Sequence, residues 1–320
     1  MNALDEDVRD SVLGCIGNTP LIRLGKVAPQ GCTVYAKAEY FNPSGSLKDR
    51  IALEMIRDAE EKGLLGPGYT IVEASTGNTG TALSLVGTRL GYNVEIYMPE
   101  GMTPERRRLM EAYGARVYEI PLEHQGGGVA GAEVEVATRR RCLEEESSRS
   151  KVWWARQFSN PANTRAHVKT GREILSQIGG PVDAFVASIG VGGTLYGVAK
   201  ALKEANPETL IVGLEPSSAR FPISEGYYRV PGVERELSGG IIEEMMESGI
   251  VDRVVKVTNE DAVAFHRRLV VEEGLACGVS SGANALMACK LAQELGPGSK
   301  VATVLPDHLD RYLSERRYTT

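Results

Sequence analysis

Six short β-branched runs, at 33–40, 70–74, 94–98, 182–189, 210–215 and 301–305, alternate with longer amphipathic stretches along the chain. These runs are apolar over most of their length, so they read as strands buried on both faces rather than as strands of a half-wet antiparallel sheet. Between them the spacing predicts helices over 47–62, 79–90, 104–113, 194–205, 261–273 and 283–295, several opening at Ser, Thr, Asn or Pro and closing near Gly. Repeated strand–helix units imply an α/β protein of open, twisted, mostly parallel sheets flanked by helices. At 320 residues the chain is long enough for two domains, or for one large and one small.

Charge and composition exclude several function classes. Lys and Arg number 36 against 42 Asp and Glu, which leaves no broad basic face to follow a nucleic-acid backbone. The five cysteines, Cys15, Cys32, Cys142, Cys277 and Cys289, lack CxxC spacing, and their odd number leaves at least one free thiol, as expected in a reducing compartment. His124, His167, His266 and His308 are too scattered to form a metal motif, so no metal is expected. The acidic opening has no apolar core and no later segment offers the roughly 18 apolar residues of a membrane span, so a cytoplasmic location is expected. The segment 125–150, with Gly126-Gly-Gly128, Arg139-Arg-Arg141 and Glu144-Glu-Glu146, reads as a solvated helix after a flexible turn.

Chemistry is expected in the loops that follow strands and open helices, where ligands bind in open α/β sheets. In Asn42-Pro-Ser-Gly-Ser-Leu-Lys-Asp-Arg50, Lys48 falls in a helix's first turn, where the positive end of the macrodipole would lower its pKa. A partly neutral lysine can attack an aldehyde to form a Schiff base or act as a general base, although a solvated helix lysine is the plainer reading of this loop alone. In Ser75-Thr-Gly-Asn-Thr-Gly80, backbone N–H groups and the hydroxyls of Ser75, Thr76 and Thr79 could cradle a carboxylate, or simply cap a helix. In Gly190-Val-Gly-Gly-Thr-Leu-Tyr-Gly197, adjacent glycines and Thr194 at a helix start suit a phosphate. The same loop resembles a dinucleotide fingerprint with a displaced third glycine, and Glu215 stands where a ribose-binding acid would, so a nicotinamide-dependent oxidoreductase is the alternative of a different class. Gly278-Val-Ser-Ser-Gly-Ala-Asn284 adds Ser280 and Ser281 at another helix start. Taken together, the four loops suit a cofactor with an aldehyde, a phosphate and a ring nitrogen, namely pyridoxal 5'-phosphate.

Several segments carry a family resemblance in a consistent order: Gly17-Asn-Thr-Pro-Leu21, the Lys48 loop, Gly77-Asn-Thr-Gly80, Met98-Pro-Glu100, Glu105-Arg-Arg107, Gln157-Phe-Ser-Asn-Pro-Ala-Asn163, Gly192-Gly-Thr194, Glu272-Glu-Gly274, Gly278-Val-Ser-Ser-Gly282 and Leu305-Pro-Asp307. The sequence resembles the fold type II pyridoxal-phosphate enzymes (tryptophan synthase β-like), specifically the cysteine synthase (O-acetylserine sulfhydrylase) and cystathionine β-synthase family. The resemblance implies that Lys48 forms the Schiff base and moves the α-proton, that Gly190, Val191, Gly192, Gly193 and Thr194 bind the cofactor phosphate, and that Asn78 meets its 3-hydroxyl. It further implies that Ser75, Thr76, Gly77, Asn78 and Thr79, with Gln157, hold the substrate carboxylate, and that Ser280 bonds the pyridine nitrogen. A serine there cannot keep the ring protonated, which favours β-elimination over transamination. The implied reaction is β-replacement: O-acetyl-L-serine loses acetate to give an aminoacrylate, and sulfide or another thiol adds, sulfide giving L-cysteine. The implied organisation is a smaller, mobile substrate-carboxylate domain of residues 1–17 and 41–157 and a larger one of 18–40 and 158–320, in a homodimer.

Departures from the family pattern bear on substrate choice. Ser75-Thr76 reverses the family's usual Thr-Ser order, Val191 replaces a usual Thr, and Leu237-Ser-Gly-Gly-Ile-Ile242 replaces a Gly-Ile-Gly pattern. Asn284 gives a reading also seen in serine/threonine dehydratases, and Arg220 could pair with the phosphate of an O-phosphoserine donor. An O-phosphoserine sulfhydrylase, a cystathionine β-synthase and a dehydratase are therefore the alternatives that share the cofactor. Trp153 and Trp154 could serve an interface or lie in a strand beneath a helix.

Overall fold

The computed structural model describes residues 8–121, 132–219, 223 and 240–315. Its strands form two sheets. The larger contains β1 (Leu21–Arg23), β2 (Thr33–Ala38), β7 (Ala184–Ser188), β8 (Leu210–Pro216), β9 (Arg253–Val257) and β10 (Lys300–Leu305), in the order β1-β2-β10-β7-β8-β9. Every pairing in it is parallel except β1 with β2. The smaller contains β3 (Thr70–Ala74), β4 (Asn93–Pro99), β5 (Arg116–Ile120) and β6 (Val152–Trp154), in the order β5-β4-β3-β6, and is wholly parallel.

Strand alternation decides what each face of the smaller sheet meets. Ile71, Ile96 and Trp153 point toward α1 (Lys48–Glu61), α2 (Asn78–Arg89) and α3 (Pro104–Ala112), packing with Ile51, Met55, Leu83, Val86 and Met110. Val72, Ala74, Tyr97 and Trp154 point the other way and pack with Cys142 of α4 (Ala132–Ser148). Trp153 and Trp154 are thus both buried, on opposite faces of one short strand. The charged helix α4 is not the solvated element expected, because Thr138, Arg139, Cys142 and Glu145 are buried on the side turned to the sheet.

The larger sheet is covered in the same way. Val34, Ala36, Val186, Val212 and Val301 pack with α8 (Asn259–Glu273) and α9 (Val279–Leu295), while Phe185, Ala187, Ile211, Ala302 and Val304 pack with α5 (Pro161–Ile178), α6 (Gly193–Ala205) and α7 (Ile241–Glu247). Helix α5 starts where Asn160 accepts the Ala162 N–H with Pro161 following, and ends at Gly179 in the left-handed conformation, φ 76°.

A buried charge cluster ties α1 to the larger sheet. Arg50 on α1 donates to Glu39 beyond β2 at 2.7 Å and to Glu173 on α5 at 2.7 Å. Lys37 on β2 reaches Glu173 at 2.7 Å and the Thr19 carbonyl at 2.6 Å. Among the described residues no helix is long and apolar enough to cross a membrane, and no group of three or more His, Cys, Asp or Glu side chains is placed to hold a metal.

Candidate active site

The carboxyl end of β3 and the N-termini of α1 and α2 open on a cavity of about 390 Å³. Its lining includes Lys48, Ser75, Thr76, Gly77, Asn78, Thr79, Gln157, Gly190 and Val191, residues up to 143 positions apart in the chain (191 − 48). Lys48 is the first residue of α1, and the preceding Leu47 N–H is fixed on the Pro306 carbonyl at 2.9 Å. Burial lowers the Lys48 amine to about 8, opposed by the negative charge of Asp307. The direction agrees with the sequence reading, but the principal cause is burial rather than the helix dipole. Asp49 staples the loop ahead of Lys48 by accepting the Ser44 N–H at 2.7 Å and the Ser44 hydroxyl.

The loop after β3 is held from within. Ser75 is buried and its Oγ accepts the N–H groups of Gly77 at 3.2 Å and Gly80 at 2.9 Å, so its hydroxyl shapes the turn. Thr79 donates to Gln157 Oε1 at 2.5 Å, and the Gln157 amide donates to the Ala74 carbonyl at 2.9 Å. Gln157 is anchored by its own N–H to Glu73 at 2.9 Å; burial pushes that carboxyl up to about 7, against the hydrogen bonds of Gln157, Trp154 and Ala74. The backbone N–H groups of Thr76, Asn78 and Thr79 meet no protein acceptor among the described residues, which leaves an anion cradle at the N-terminus of α2.

A second cradle lies across the cavity. The N–H groups of residues 190–194 likewise meet no protein acceptor among the described residues, and Gly192, at φ 92°, turns the chain into α6. Gly193 has no room for a side chain, because a Cβ there would stand 2.1 Å from Asn163 Oδ1. Thr194 Oγ1 shares a 3.1 Å hydrogen bond with His167 Nε2. Burial, together with the charges of Lys48 and Arg50, pushes His167 well below its ordinary value, so the imidazole is neutral. Gly193→Ala should therefore strain the start of α6 by about 1–3 kcal/mol and weaken phosphate-dependent cofactor binding roughly tenfold or more, read by titrating the apo-protein. Affinity within twofold of the parent would show that the loop does not hold the phosphate.

Ser280 is half-buried in the first turn of α9 and does not line the cavity. Asn284 takes a structural role, accepting the Ser188 N–H at 2.8 Å and donating to the Val304 carbonyl at 2.9 Å. Glu215 is buried and accepts the Ile223 N–H at 2.6 Å, so it offers no open carboxylate to a ribose. Arg220 and Leu237, Ser238 and Gly239 lie outside the described residues, as does the Gly126-Gly-Gly128 hinge.

Four residues at this site have no role in the sequence patterns described above. Arg106, Arg139 and Tyr312 line the cavity, and Asp307 stands behind it. Arg106 donates to the Thr76 carbonyl at 3.2 Å, and the Arg139 guanidinium lies 3.6 Å over the Phe158 ring. Arg106 and Asp307 fall within quoted motifs, Glu105-Arg-Arg107 and Leu305-Pro-Asp307, whereas Arg139 was hidden in a charge run.

A buried amine beside two amide-lined cradles, one following adjacent glycines, suits a ligand that carries both an aldehyde and a phosphate. That arrangement defines the class of enzymes that bind pyridoxal phosphate through a lysine. The chain belongs to the pyridoxal-phosphate dependent enzyme family, whose model matches residues 12–307. It is 42% identical over 313 residues to a cysteine synthase of Staphylococcus aureus strain Mu50, covering 97% of each chain. It is 38% identical over 310 residues to an O-ureido-L-serine synthase of Streptomyces lavendulae, covering 95% of this chain and 91% of that one. The crystal structure of a cysteine synthase from Entamoeba histolytica is similar with a TM-score of 0.84 at 33% identity, covering 100% of this chain and 94% of that chain.

Proposed function

We propose that this protein makes L-cysteine by β-replacement on O-acetyl-L-serine with sulfide. The observation that carries the reading is that Lys48 and the amide cradle at residues 76–79 open on one small cavity. A donor whose carboxylate is seated in that cradle presents its α-carbon to the lysine. When bound, pyridoxal phosphate withdraws electrons from that carbon and so acidifies its proton.

The chain's own residues do the rest. The cradle and Gln157 hold the donor carboxylate, and Gly190, Val191, Gly192, Gly193 and Thr194 hold the cofactor phosphate. Asn78 would donate to the ring oxygen; Ser280 lies outside the cavity lining, and its bond to the ring nitrogen rests on the family resemblance alone. Lys48, neutral above about 8, takes the α-proton at its Nζ, while its protonated form can return a proton after the leaving group departs. Inward movement of the smaller domain, residues 1–17 and 41–157, against residues 18–40 and 158–320 would exclude water from the cavity. The protein acts as a cytoplasmic homodimer.

The test is cysteine formation from O-acetylserine and sulfide by purified protein loaded with pyridoxal phosphate, with O-phosphoserine, serine and O-ureidoserine as competing donors. Highest kcat/KM with O-acetylserine supports the reading. Highest kcat/KM with O-phosphoserine would move the donor assignment to a phosphate held near Arg106 and Arg139, and no turnover of any donor would overturn it.

A further inference from the structure

The segment 306–312 ties together the run before Lys48, the start of α2 at Asn78 and the run before Ser280. Leu47 donates to the Pro306 carbonyl at 2.9 Å and His308 donates to the Gly45 carbonyl at 3.1 Å, fixing the run before Lys48. Gly278 donates to the Asp307 carbonyl at 2.7 Å and Leu309 to the Ala276 carbonyl at 3.0 Å, fixing the run before Ser280. The Arg311 guanidinium donates to Asn78 Oδ1 and to the Ser44 carbonyl. At the centre is the Asp307 carboxylate, 2% exposed, whose Oδ2 accepts from Asn78 Nδ2 at 2.7 Å and from the Tyr312 hydroxyl at 2.6 Å. Its Oδ1 is buried with no hydrogen-bond partner among the described residues, and it lies so close to Gly278 that a Cβ there would approach within 2.1 Å.

Asn78 is thereby clamped at both ends of its amide. An amide NH₂ has two N–H groups, and with one given to Asp307 the other is the donor left to face a ligand in the cavity. The geometry points to Asp307 as a positioning residue: its carboxylate orients Asn78 toward the cofactor's ring oxygen and sets the charge beside Lys48. This inference rests on the proposed contact between Asn78 and the cofactor.

Asp307 works among several titratable neighbours. Lys48 faces it from α1, Tyr312 from the C-terminal turn, His266 from α8, and Cys277 from the run before α9, while Arg311 holds the far end of the Asn78 amide. Burial lowers His266, raises the Cys277 thiol to about 11 and raises the Tyr312 hydroxyl, with Asp307 adding to the last two. The Lys48 amine, near 8, is the member of this group whose titration falls in the working range and responds to the Asp307 charge.

The experiment compares Asp307→Asn, Asn78→Ala and the double variant with the parent. The readouts are the cofactor dissociation constant and the pH dependence of the rate at which apo-protein captures pyridoxal phosphate, which reports the Lys48 amine. Asp307→Asn should weaken the cofactor about tenfold to a hundredfold, the worth of a hydrogen bond to a charged group. It should also move the midpoint of the capture profile below about 8, since the charge that opposes burial is gone. In the Asn78→Ala background, the same change should weaken affinity less than twofold while still moving the midpoint. Asp307→Glu, which keeps the charge but displaces it, should hold the midpoint nearer the parent's than Asp307→Asn does, and serves if the amide variant fails to fold. Parent-like affinity and midpoint in Asp307→Asn, with a lowered Tm alone, would overturn the proposal by showing a merely structural residue. If Asn78→Ala itself binds cofactor as the parent does, the Asn78 reading fails and takes the route proposed for Asp307 with it.

Discussion

Lys48→Ala should leave a folded protein with no measurable β-replacement, a fall of about 10⁴-fold or more, because in the function proposed above one side chain supplies both the covalent attachment and the proton transfer. Folding should survive, since the residue is half-buried at the start of α1, where alanine is an excellent helix former. The visible absorption of the lysine-bound cofactor should vanish while far-ultraviolet circular dichroism stays at the parent's level. Retained turnover with O-acetylserine and sulfide would remove Lys48 from the chemistry. The parent should also gain rate as pH rises toward about 8, because the amine becomes neutral over that interval. A rate that falls steadily from pH 6 to 8 would contradict Lys48 as the base.

Arg50→Ala, two residues along the same helix, should instead act on stability, by about 3–5 kcal/mol, since it strands Glu39 and Glu173 in a cluster built around the guanidinium. The pH dependence has a definite sign. Burial pushes the Glu173 carboxyl up, but Arg50 and Lys37 outweigh it and hold the group down at about 2. The folded state therefore resists protonation. The stability that Glu173 contributes is whole above its ordinary 4.5 and is lost as pH falls toward about 2, about 3 kcal/mol at most. Removing Arg50 removes most of that contribution, so the difference between parent and variant, measured by denaturant unfolding, should narrow between pH 5 and pH 2. A difference that is constant over this range would show that the pair carries no net stability.

The strands most legible in the sequence were those with unbroken apolar runs and a clear turn on either side. The run 70–74 became β3 residue for residue, and 210–215 and 301–305 each fell within a residue of β8 and β10. Strands β5 and β9 escaped notice because their segments, Arg116-Val-Tyr-Glu-Ile120 and Arg253-Val-Val-Lys-Val257, carry charges at the solvated edges of their sheets. Strands β1 and β6 have three residues each, too few to show a period. Helix α5 is not among the expected helices although Asn160-Pro161 is a start signal, because its first turn coincides with the Gln157–Asn163 motif.

The site divides along the same line. Lys48 and the two loops at 75–80 and 190–194, which the structure brings to one cavity, stand out in the sequence because each sits in a local pattern of small polar residues, whereas Gln157 enters only through the family resemblance. Asp307 does not stand out, since its meaning depends on Asn78, 229 residues away, and no local pattern encodes that meeting. Arg139 was misread for a related reason: a run of three arginines looks solvated until the helix's orientation on β3 and β4 is known.

The pairing of β2 with β10 sets an order on synthesis. Residues 33–38 have their parallel neighbour at residues 300–305, and β10 also separates β2 from β7. The smaller sheet, by contrast, is contained between residues 70 and 154. During synthesis, the smaller sheet can assemble while its partner still lacks an internal strand, and β2 has no parallel neighbour until residues 300–305 have emerged. The segment that closes the large sheet is followed at once by Pro306 and Asp307, so the sheet and the contacts that these two residues make with Leu47 and Gly278 are completed together. Nascent protein cut short before β10 should expose apolar sheet edges and depend on chaperones, and competence to capture cofactor should arise only once residues 300–307 have emerged.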